Sequence, residues 1–146
     1  MKDVYDNNSY EIITEHLVMS KDLNIAGTLF GGSMMAWIDE AAAMYAMKVM
    51  KTKMIVTHLI SELEFDKPVK LGDFLAFGCR TLKEGKTSLS VSVVVFKYDF
   101  TKDNNEKTII DKIPVVSAKL IFVSVDENGN KREWEKGWLR IEILII

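Results

Sequence analysis

The sequence predicts an α+β fold in which one curved antiparallel sheet wraps a single long helix. Residues 34–50 are apolar almost without interruption, which is typical of a helix that is buried on most of its sides. The chain after residue 55 consists of strand-like segments joined mainly by short turns, which is typical of an antiparallel sheet. A curved sheet is the arrangement that hides such a helix best.

The composition indicates one soluble domain covering residues 1–146. The chain is 48% hydrophobic and 27% charged, and Cys79 is its only cysteine, so no internal disulfide can form. We expect a cytoplasmic protein because the first residues do not resemble a signal peptide. Scattered basic residues and a net charge of -2 argue against a nucleic-acid partner. Asp39, Glu40 and Lys48 argue against membrane insertion of the apolar segment.

The first strand is expected at residues 11–18, before the helix. Gly31 and Gly32 free the backbone where the helix begins, and Ser33 is the expected N-cap. In residues 55–65 the alternation places Leu59 on the same side as Thr57.

Three further strands follow, and two turns punctuate them. Residues 83–86 are expected to form a hairpin loop, and residues 126–129 a turn. Residues 100–113 are expected to be a polar connection. Residues 131–146 are expected to pack on their own domain or on a neighbouring subunit. The three strands are 74–82, 88–98 and 115–125.

Asp39 is the most unusual residue of the predicted helix. A carboxylate in an apolar helix loses hydration energy unless it is paired or used, and aspartate is a weak helix former. Ala42 and Ala43, one turn further along, leave a shallow surface that a substrate or another chain could reach. Asp39 is therefore a candidate catalytic carboxylate. The alternative is that Asp39 and Glu40 only solvate one wet edge of the helix.

A second group of candidate residues precedes the helix. Asn24, Gly27, Gly31 and Gly32 lie in the loop that enters it. Backbone N–H groups at a helix N-terminus suit a phosphate or a developing oxyanion. An ordinary loop and cap would use the same residues, so the glycines alone leave both interpretations open.

Metal chemistry is not expected. His16 and His58 have no metal-ligand spacing with each other or with Cys79, which is expected to be a small core residue. We therefore expect no metal and no cofactor.

The stretch NIAGTLFGGSMMAWIDEAA, residues 24–42, resembles the hallmark segment of hotdog-fold acyl-CoA thioesterases, most closely the YciA-like and cytosolic acyl-CoA hydrolase group. Three further pieces resemble the same family in the same order, and the likeness covers about residues 19–125. Those pieces are Val56-Thr57, then Phe65 with Pro68-Val69 and Gly72-Asp73, then Gly85-Lys86-Thr87-Ser88.

The resemblance implies a helix wrapped by a sheet, paired protomers with active sites at the dimer interface, and in many members three dimers in a hexamer. It implies that Asp39 is the catalytic carboxylate and that Asn24 assists from the partner subunit. It also implies that Gly31 and Gly32 belong to the oxyanion site. Substrate or coenzyme contacts are expected from Thr57 and from residues 85–88, that is Gly85, Lys86, Thr87 and Ser88.

The expected reaction is hydrolysis of acyl-CoA to a fatty acid and CoA, with CoA present only as part of the substrate and product. Asp39 would act as general base on water, or as a nucleophile through a mixed anhydride. Arg80, Lys83 and Lys86 are candidate partners for the coenzyme phosphates. The alternative is that they are three solvated surface charges.

Two other functions stay open on the sequence alone. The first is a non-catalytic module that binds acyl-CoA or lipid, because a fold does not fix a function. The second is a hydratase or dehydratase acting on acyl thioesters. That chemistry needs a catalytic histidine at the helix, and neither His16 nor His58 lies there.

Overall fold

Five antiparallel strands and one long helix make up the computed structural model, which describes residues 9–136. The strands form one sheet in the order β1-β3-β4-β5-β2, so β1 and β2 are its two edges. Helix α1 contacts all five strands, as expected of a sheet that curves around a helix. The elements are β1 (Glu11–Leu17), α1 (Gly31–Met50), β2 (Ile55–Phe65), β3 (Phe74–Glu84), β4 (Ser88–Lys102) and β5 (Thr108–Ser124).

Helix α1 begins at Gly31 with Phe30 as its N-cap, so the expectation of an N-cap at Ser33 is wrong. The N–H groups of Ser33 and Met34 donate to the Phe30 carbonyl at 3.0 and 3.2 Å, which places Ser33 inside the first turn. A Cβ atom at Gly32 would lie 2.6 Å from the Phe30 ring. Glycine at this position therefore lets the Phe30 ring lie against the start of the helix.

The buried face of α1 packs on the inner face of the sheet. Phe77, Leu89 and Phe122 are fully buried in the same cluster. The opposite face of α1 exposes Met35 and Met44 to solvent, so a single chain does not bury the helix on most sides as the sequence predicts. The buried helix residues are Met34, Ile38, Ala41, Ala42, Ala46 and Met50.

Strand β2 has the predicted bounds, but its alternation is interrupted. Thr57 pairs with Phe122 and Leu59 pairs with Ile121, the next residue of β5, so Thr57 and Leu59 face opposite sides of the sheet. The expectation that they share a side is therefore wrong. A second irregularity lies between Ser61 and Glu64. Such bulges add a residue to one strand and shift every later side chain to the other face.

Strands β4 and β5 continue into the segment that the sequence predicts to be an unstructured polar connection, so that expectation is wrong. Phe100 pairs with Ile110, and the last pair joins Lys102 to Thr108. The Asp103 carboxylate accepts hydrogen bonds from two backbone N–H groups of the turn that joins the strands. The turn expected at residues 126–129 is confirmed by a hydrogen bond from the Gly129 N–H to the Asp126 carbonyl.

The expected C-terminal tail is described only up to Lys136, and residues 137–146 lie outside the described part of the chain. Within the described part, Trp134 is 7% exposed and belongs to the main core. No helix within residues 9–136 has the length and hydropathy required to cross a membrane.

Candidate active site

Asp39 lies in α1 where the helix faces the edge strand β2. The Thr57 hydroxyl, on β2, donates a hydrogen bond of 2.9 Å to Oδ1 of Asp39. Asp39 is partly buried, whereas Glu40 beside it is exposed. The structure therefore joins two of the residues that the sequence singles out, Asp39 and Thr57, across the helix and the sheet.

The edge strand β2, which carries Thr57, exposes apolar side chains, and those of Val56 and Leu59 face the side of the sheet away from Thr57. Strand β2 has no neighbour on its outer side within the described sheet. Val56, Leu59 and Phe65 on β2 are each nearly half exposed, although all three are large apolar residues. Ala42 is fully buried and Ala43 is partly buried, so of the two alanines expected to leave a reachable surface beside Asp39 only Ala43 keeps any exposure. Exposed apolar surface of this kind marks a place where a ligand or another chain binds.

Asn24 lies in the loop between β1 and α1. Its side-chain oxygen accepts a hydrogen bond from the Thr28 N–H at 3.1 Å, and its amide nitrogen donates to the Thr28 hydroxyl at 3.0 Å. Ile25, the next residue, is fully exposed. Among the described residues no hydrogen bond joins Asn24 to Asp39, so a single chain does not bring these two candidates together.

Gly31 and Gly32 are the first two residues of α1. Among residues 9–136, no hydrogen bond uses the N–H group of either glycine, because the first N–H groups of a helix have no acceptor within it. A Cβ atom at Gly31 would meet open space. These two N–H groups can therefore donate to an oxygen atom of a bound molecule at the positive end of the helix dipole.

The loop between β3 and β4, residues 85–87, lies close to Thr57 in the sheet. Thr57, Phe122 and Leu89 are consecutive partners across β2, β5 and β4, so the start of β4 is two strands away, about 10 Å from Thr57. The Gly85 N–H donates to the Ser88 carbonyl at 2.9 Å, and the Ser124 N–H donates to the Thr87 carbonyl at 2.7 Å. A side chain at Gly85 would meet the Ser88 hydroxyl, which would have to rotate away.

Of the three basic candidates, Lys83 and Lys86 are exposed on or beside this loop. Arg80 is placed elsewhere. Cys79 faces the core under α1, so Arg80, the next residue of β3, faces the other side of the sheet. Its guanidinium lies 4.9 Å from the centre of the Tyr10 ring and donates to the Ser9 hydroxyl at 3.2 Å. Lys83 pairs with Ser90 and Arg80 with Ser92, and both serines alternate with the core residues of β4. The structure therefore does not bring Arg80 or Lys83 to the side of the sheet that carries Asp39.

The surroundings of Cys79, His16 and His58 do not indicate a metal site. Cys79 is 1% exposed within the main core, which confirms that it is a core residue, and this burial raises the pKa of its thiol to about 12. The His16 ring stacks on Trp37 with ring centres 4.4 Å apart, and His58 lies exposed on β2. Among residues 9–136, no three His, Cys, Asp or Glu side chains cluster as metal ligands would.

Two residues that the sequence does not single out contact the β3–β4 loop and the first residue of β4. The Trp134 indole donates to the Ser88 carbonyl at 3.0 Å, and the Lys136 ammonium donates to the Lys86 carbonyl at 2.8 Å. Both residues lie in the segment whose structure the sequence leaves open. A tryptophan and a lysine two residues apart carry no local pattern that would have identified them.

The model of the thioesterase superfamily matches residues 26–102 of this chain. The acyl-CoA thioester hydrolase YciA of Salmonella typhimurium is 30% identical over 122 residues, which cover 84% of this chain and 88% of that protein.

Solved structures extend this comparison. The hexameric hotdog fold thioesterase Cj0915 of Campylobacter jejuni is similar with a TM-score of 0.75 and 31% identity, over 90% of this chain and 95% of that one. An acyl-CoA hydrolase of Staphylococcus aureus, solved in complex with butyryl-CoA, CoA and CoA disulfide, is similar with a TM-score of 0.69 and 31% identity, over 84% and 70%. The chain therefore belongs to the thioesterase superfamily and has the hotdog fold.

Proposed function

We propose that this chain is an acyl-CoA thioester hydrolase that converts acyl-CoA and water to a carboxylic acid and free CoA. The observation that carries the proposal is the Asp39 carboxylate, which is held by Thr57 at an open apolar edge of a thioesterase fold. Relatives named acyl-CoA thioester hydrolases support the choice of substrate class.

Asp39 acts as the general base in this proposal. Thr57 donates to one carboxylate oxygen and so fixes the orientation of the group. The other oxygen accepts a proton from a water molecule as that water adds to the thioester carbonyl carbon. The tetrahedral intermediate then collapses to the carboxylic acid and expels the CoA thiolate, a good leaving group, which takes up the proton held by Asp39 and so restores the carboxylate.

The developing oxyanion needs donors, and Gly31 and Gly32 are the proposed source. Their N–H groups have no acceptor among the described residues and lie at the positive end of α1. Losing one such donor typically costs about 10²–10³ in rate. The loop residues Gly85, Lys86, Thr87 and Ser88 would hold the coenzyme, because that loop lies two strands from Thr57. Arg80 and Lys83 are left out because both face the other side of the sheet.

Asn24 would act from a second copy of the chain, whose loop reaches the site beside Asp39. The exposed edge of β2 and the exposed apolar residues of that strand support a dimer. The hexameric assembly of the Campylobacter jejuni relative supports three such dimers in a hexamer.

A thiol-release assay with acyl-CoA substrates of different chain lengths tests the proposed reaction. We expect free CoA to appear without added metal. Binding of acyl-CoA without release of thiol would instead support a binding module. Loss of the enoyl absorbance from an enoyl-CoA, with no thiol released, would support a hydratase.

Single-turnover hydrolysis in ¹⁸O-labelled water tests the role of Asp39. A general base places one ¹⁸O atom in the product acid of the first turnover. A nucleophilic Asp39 whose mixed anhydride is opened by water at the aspartyl carbon would give an unlabelled first product and leave the ¹⁸O atom in Asp39.

Mixing two inactive variants tests the shared site. After dissociation and reassociation, Asn24→Ala and Asp39→Ala chains should regain about one quarter of wild-type activity, because half of randomly formed dimers are mixed and half of their sites are intact. Absence of recovery, with subunit exchange demonstrated by mass-tagged chains, would place both residues in the site of one protomer.

A further inference from the structure

The segment that follows β5 folds back across one end of the molecule, and we call residues 131–136 the C-terminal strap. Lys131 forms a bridge with Val125, and the Arg132 N–H donates to the Ser124 carbonyl at 2.9 Å. Glu135 forms an ion pair of 3.3 Å with Lys51, at the end of α1. The strap is therefore tied to β5 and to the helix before it reaches the β3–β4 loop.

Trp134 is the buried anchor of the strap. Its ring is part of the main core, and its indole N–H donates to the Ser88 carbonyl at 3.0 Å. A buried tryptophan needs such an acceptor, because an unpaired buried N–H group is costly. The contact spans 46 positions of sequence and joins the strap to the first residue of β4, whose carbonyl also accepts from the Gly85 N–H at 2.9 Å.

Lys136 contacts the β3–β4 loop two residues before Ser88. Its ammonium lies 3.7 Å from the centre of the Trp134 ring and donates to the Lys86 carbonyl at 2.8 Å and to the Trp134 carbonyl at 3.0 Å. The Lys136 ammonium thus interacts with the face of the Trp134 ring and with two backbone carbonyl groups. The strap therefore donates hydrogen bonds to two carbonyl groups, that of Lys86 in the loop and that of Ser88 at the start of β4.

These contacts determine which way the loop presents its N–H groups. In a trans peptide the C=O and N–H bonds lie in one plane and point in opposite directions. Since the Lys86 carbonyl points to the strap, the Thr87 N–H points away from it. Within the described part of the chain, no hydrogen bond uses the N–H groups of Lys86 or Thr87.

We propose that Trp134 and Lys136 are positioning residues for coenzyme binding: they turn the Lys86 and Ser88 carbonyls inward, so that the Thr87 N–H and the Lys86 side chain face the phosphates of CoA. Turning carbonyl oxygens away also removes partial negative charge from the surface that an anion would approach. The inference rests on the proposed acyl-CoA substrate. The inference extends the proposed coenzyme site to the C-terminal strap, which lies outside residues 24–102.

Two conservative variants separate positioning from general stability. Trp134→Phe keeps an aromatic ring in the core and removes the indole donor, whereas Lys136→Met keeps most of the packing and removes the ammonium. We expect each to raise KM for acyl-CoA about five- to tenfold, which corresponds to the loss of one hydrogen bond, and to change kcat less than twofold. Tyr10→Phe is the matched control, because it removes a hydrogen bond of 2.9 Å to Ser92 on the other face of the sheet.

A substrate without phosphates provides the decisive comparison. The corresponding acyl thioester of N-acetylcysteamine has the reacting group but no nucleotide, so its KM should be unchanged in both variants. Equal effects on the two substrates, or none on either, would overturn the proposal. An effect of Lys136→Met without an effect of Trp134→Phe would also overturn it, since this would indicate a direct charge contact. Because Trp134 is buried, melting temperatures are measured for every variant.

Calorimetric titration with CoA distinguishes this inference from the proposed function. A wild-type chain that binds CoA but hydrolyses no thioester contradicts the proposed reaction, and weaker CoA binding by both variants would still support the strap. A wild-type chain that hydrolyses acyl-CoA while both variants bind CoA normally contradicts only the strap. No CoA binding by the wild-type chain contradicts both.

Discussion

The two edge strands of the sheet differ in how much of their side-chain surface the chain itself covers. On β1, the His16 ring stacks on Trp37 of the helix, and Glu15 accepts a hydrogen bond of 2.6 Å from the Tyr98 hydroxyl of β4. On β2, Val56, Leu59 and Phe65 stay exposed. An edge strand with exposed apolar side chains is a place for association. The comparison teaches that β1 leaves one large apolar side chain, Leu17, exposed, whereas β2, which carries Thr57 of the candidate site, leaves three exposed and is the more open to another chain.

The largest expected effect is that of Asp39→Asn at the open edge. The amide cannot accept a proton from water, so we expect kcat to fall by about 10²–10⁴, the usual contribution of a general base. The amide oxygen can still accept from Thr57, so the fold should be retained. Steady-state hydrolysis and circular dichroism check this, with Glu40→Gln as the exposed neighbouring control. A folded Asp39→Asn variant that keeps more than a tenth of kcat would remove Asp39 from the mechanism.

The second prediction compares the same substitution on both edges. Leu59→Lys places a charge on the β2 edge, and we expect it to weaken self-association by about 10²-fold or more, because unpaired or like charges at an interface cost several kcal/mol. Leu17→Lys changes a similarly exposed leucine on β1 and should leave association unchanged. Sedimentation velocity over a range of concentrations measures both. Equal effects of the two variants would contradict the distinction between the edges.

The third prediction concerns the contact that joins the helix to β2. Thr57→Val keeps the shape of the side chain and removes the donor to Asp39, so the carboxylate loses its fixed orientation. We expect kcat to fall about tenfold, in line with one hydrogen bond to a charged group. Thr101→Val, at an exposed position of β4, is the matched control. Unchanged turnover in Thr57→Val would show that the hydrogen bond does not orient the base.

The smallest effect is expected at the β1 edge. The hydrogen bond to Glu15, with a smaller contribution from burial, raises the pKa of Tyr98 to about 12. Between pH 10 and 12 the unfolded chain loses the phenol proton while the folded chain keeps it, so the free energy of unfolding should decrease as the pH rises. Ultraviolet titration of the phenolate checks the pKa. Glu15→Gln should return the pKa toward 10, and an unchanged titration would show that Glu15 is not the cause.

The sequence predicts the parts of this molecule that local patterns encode. Alternation gives the bounds of β2, and a carboxylate inside an apolar run identifies Asp39. It does not predict that Leu59 faces away from Thr57, because a bulge depends on the partner strand. The paired ends of β4 and β5 are missed since charged turn residues such as Asp103 dominate that segment. Trp134 is missed because its acceptor, Ser88, is distant in sequence.

The burial of Cys79 has a practical consequence for measuring this enzyme. The chain contains one cysteine, and with a pKa of about 12 only about one thiol in ten thousand is ionised at pH 8. Aromatic disulfide reagents react with thiolates, so they should remain inert toward the native protein. Colour that develops during turnover would then report released coenzyme directly. In denaturant the same reagent should titrate one thiol per chain, which gives the assay an internal measure of how much protein is folded.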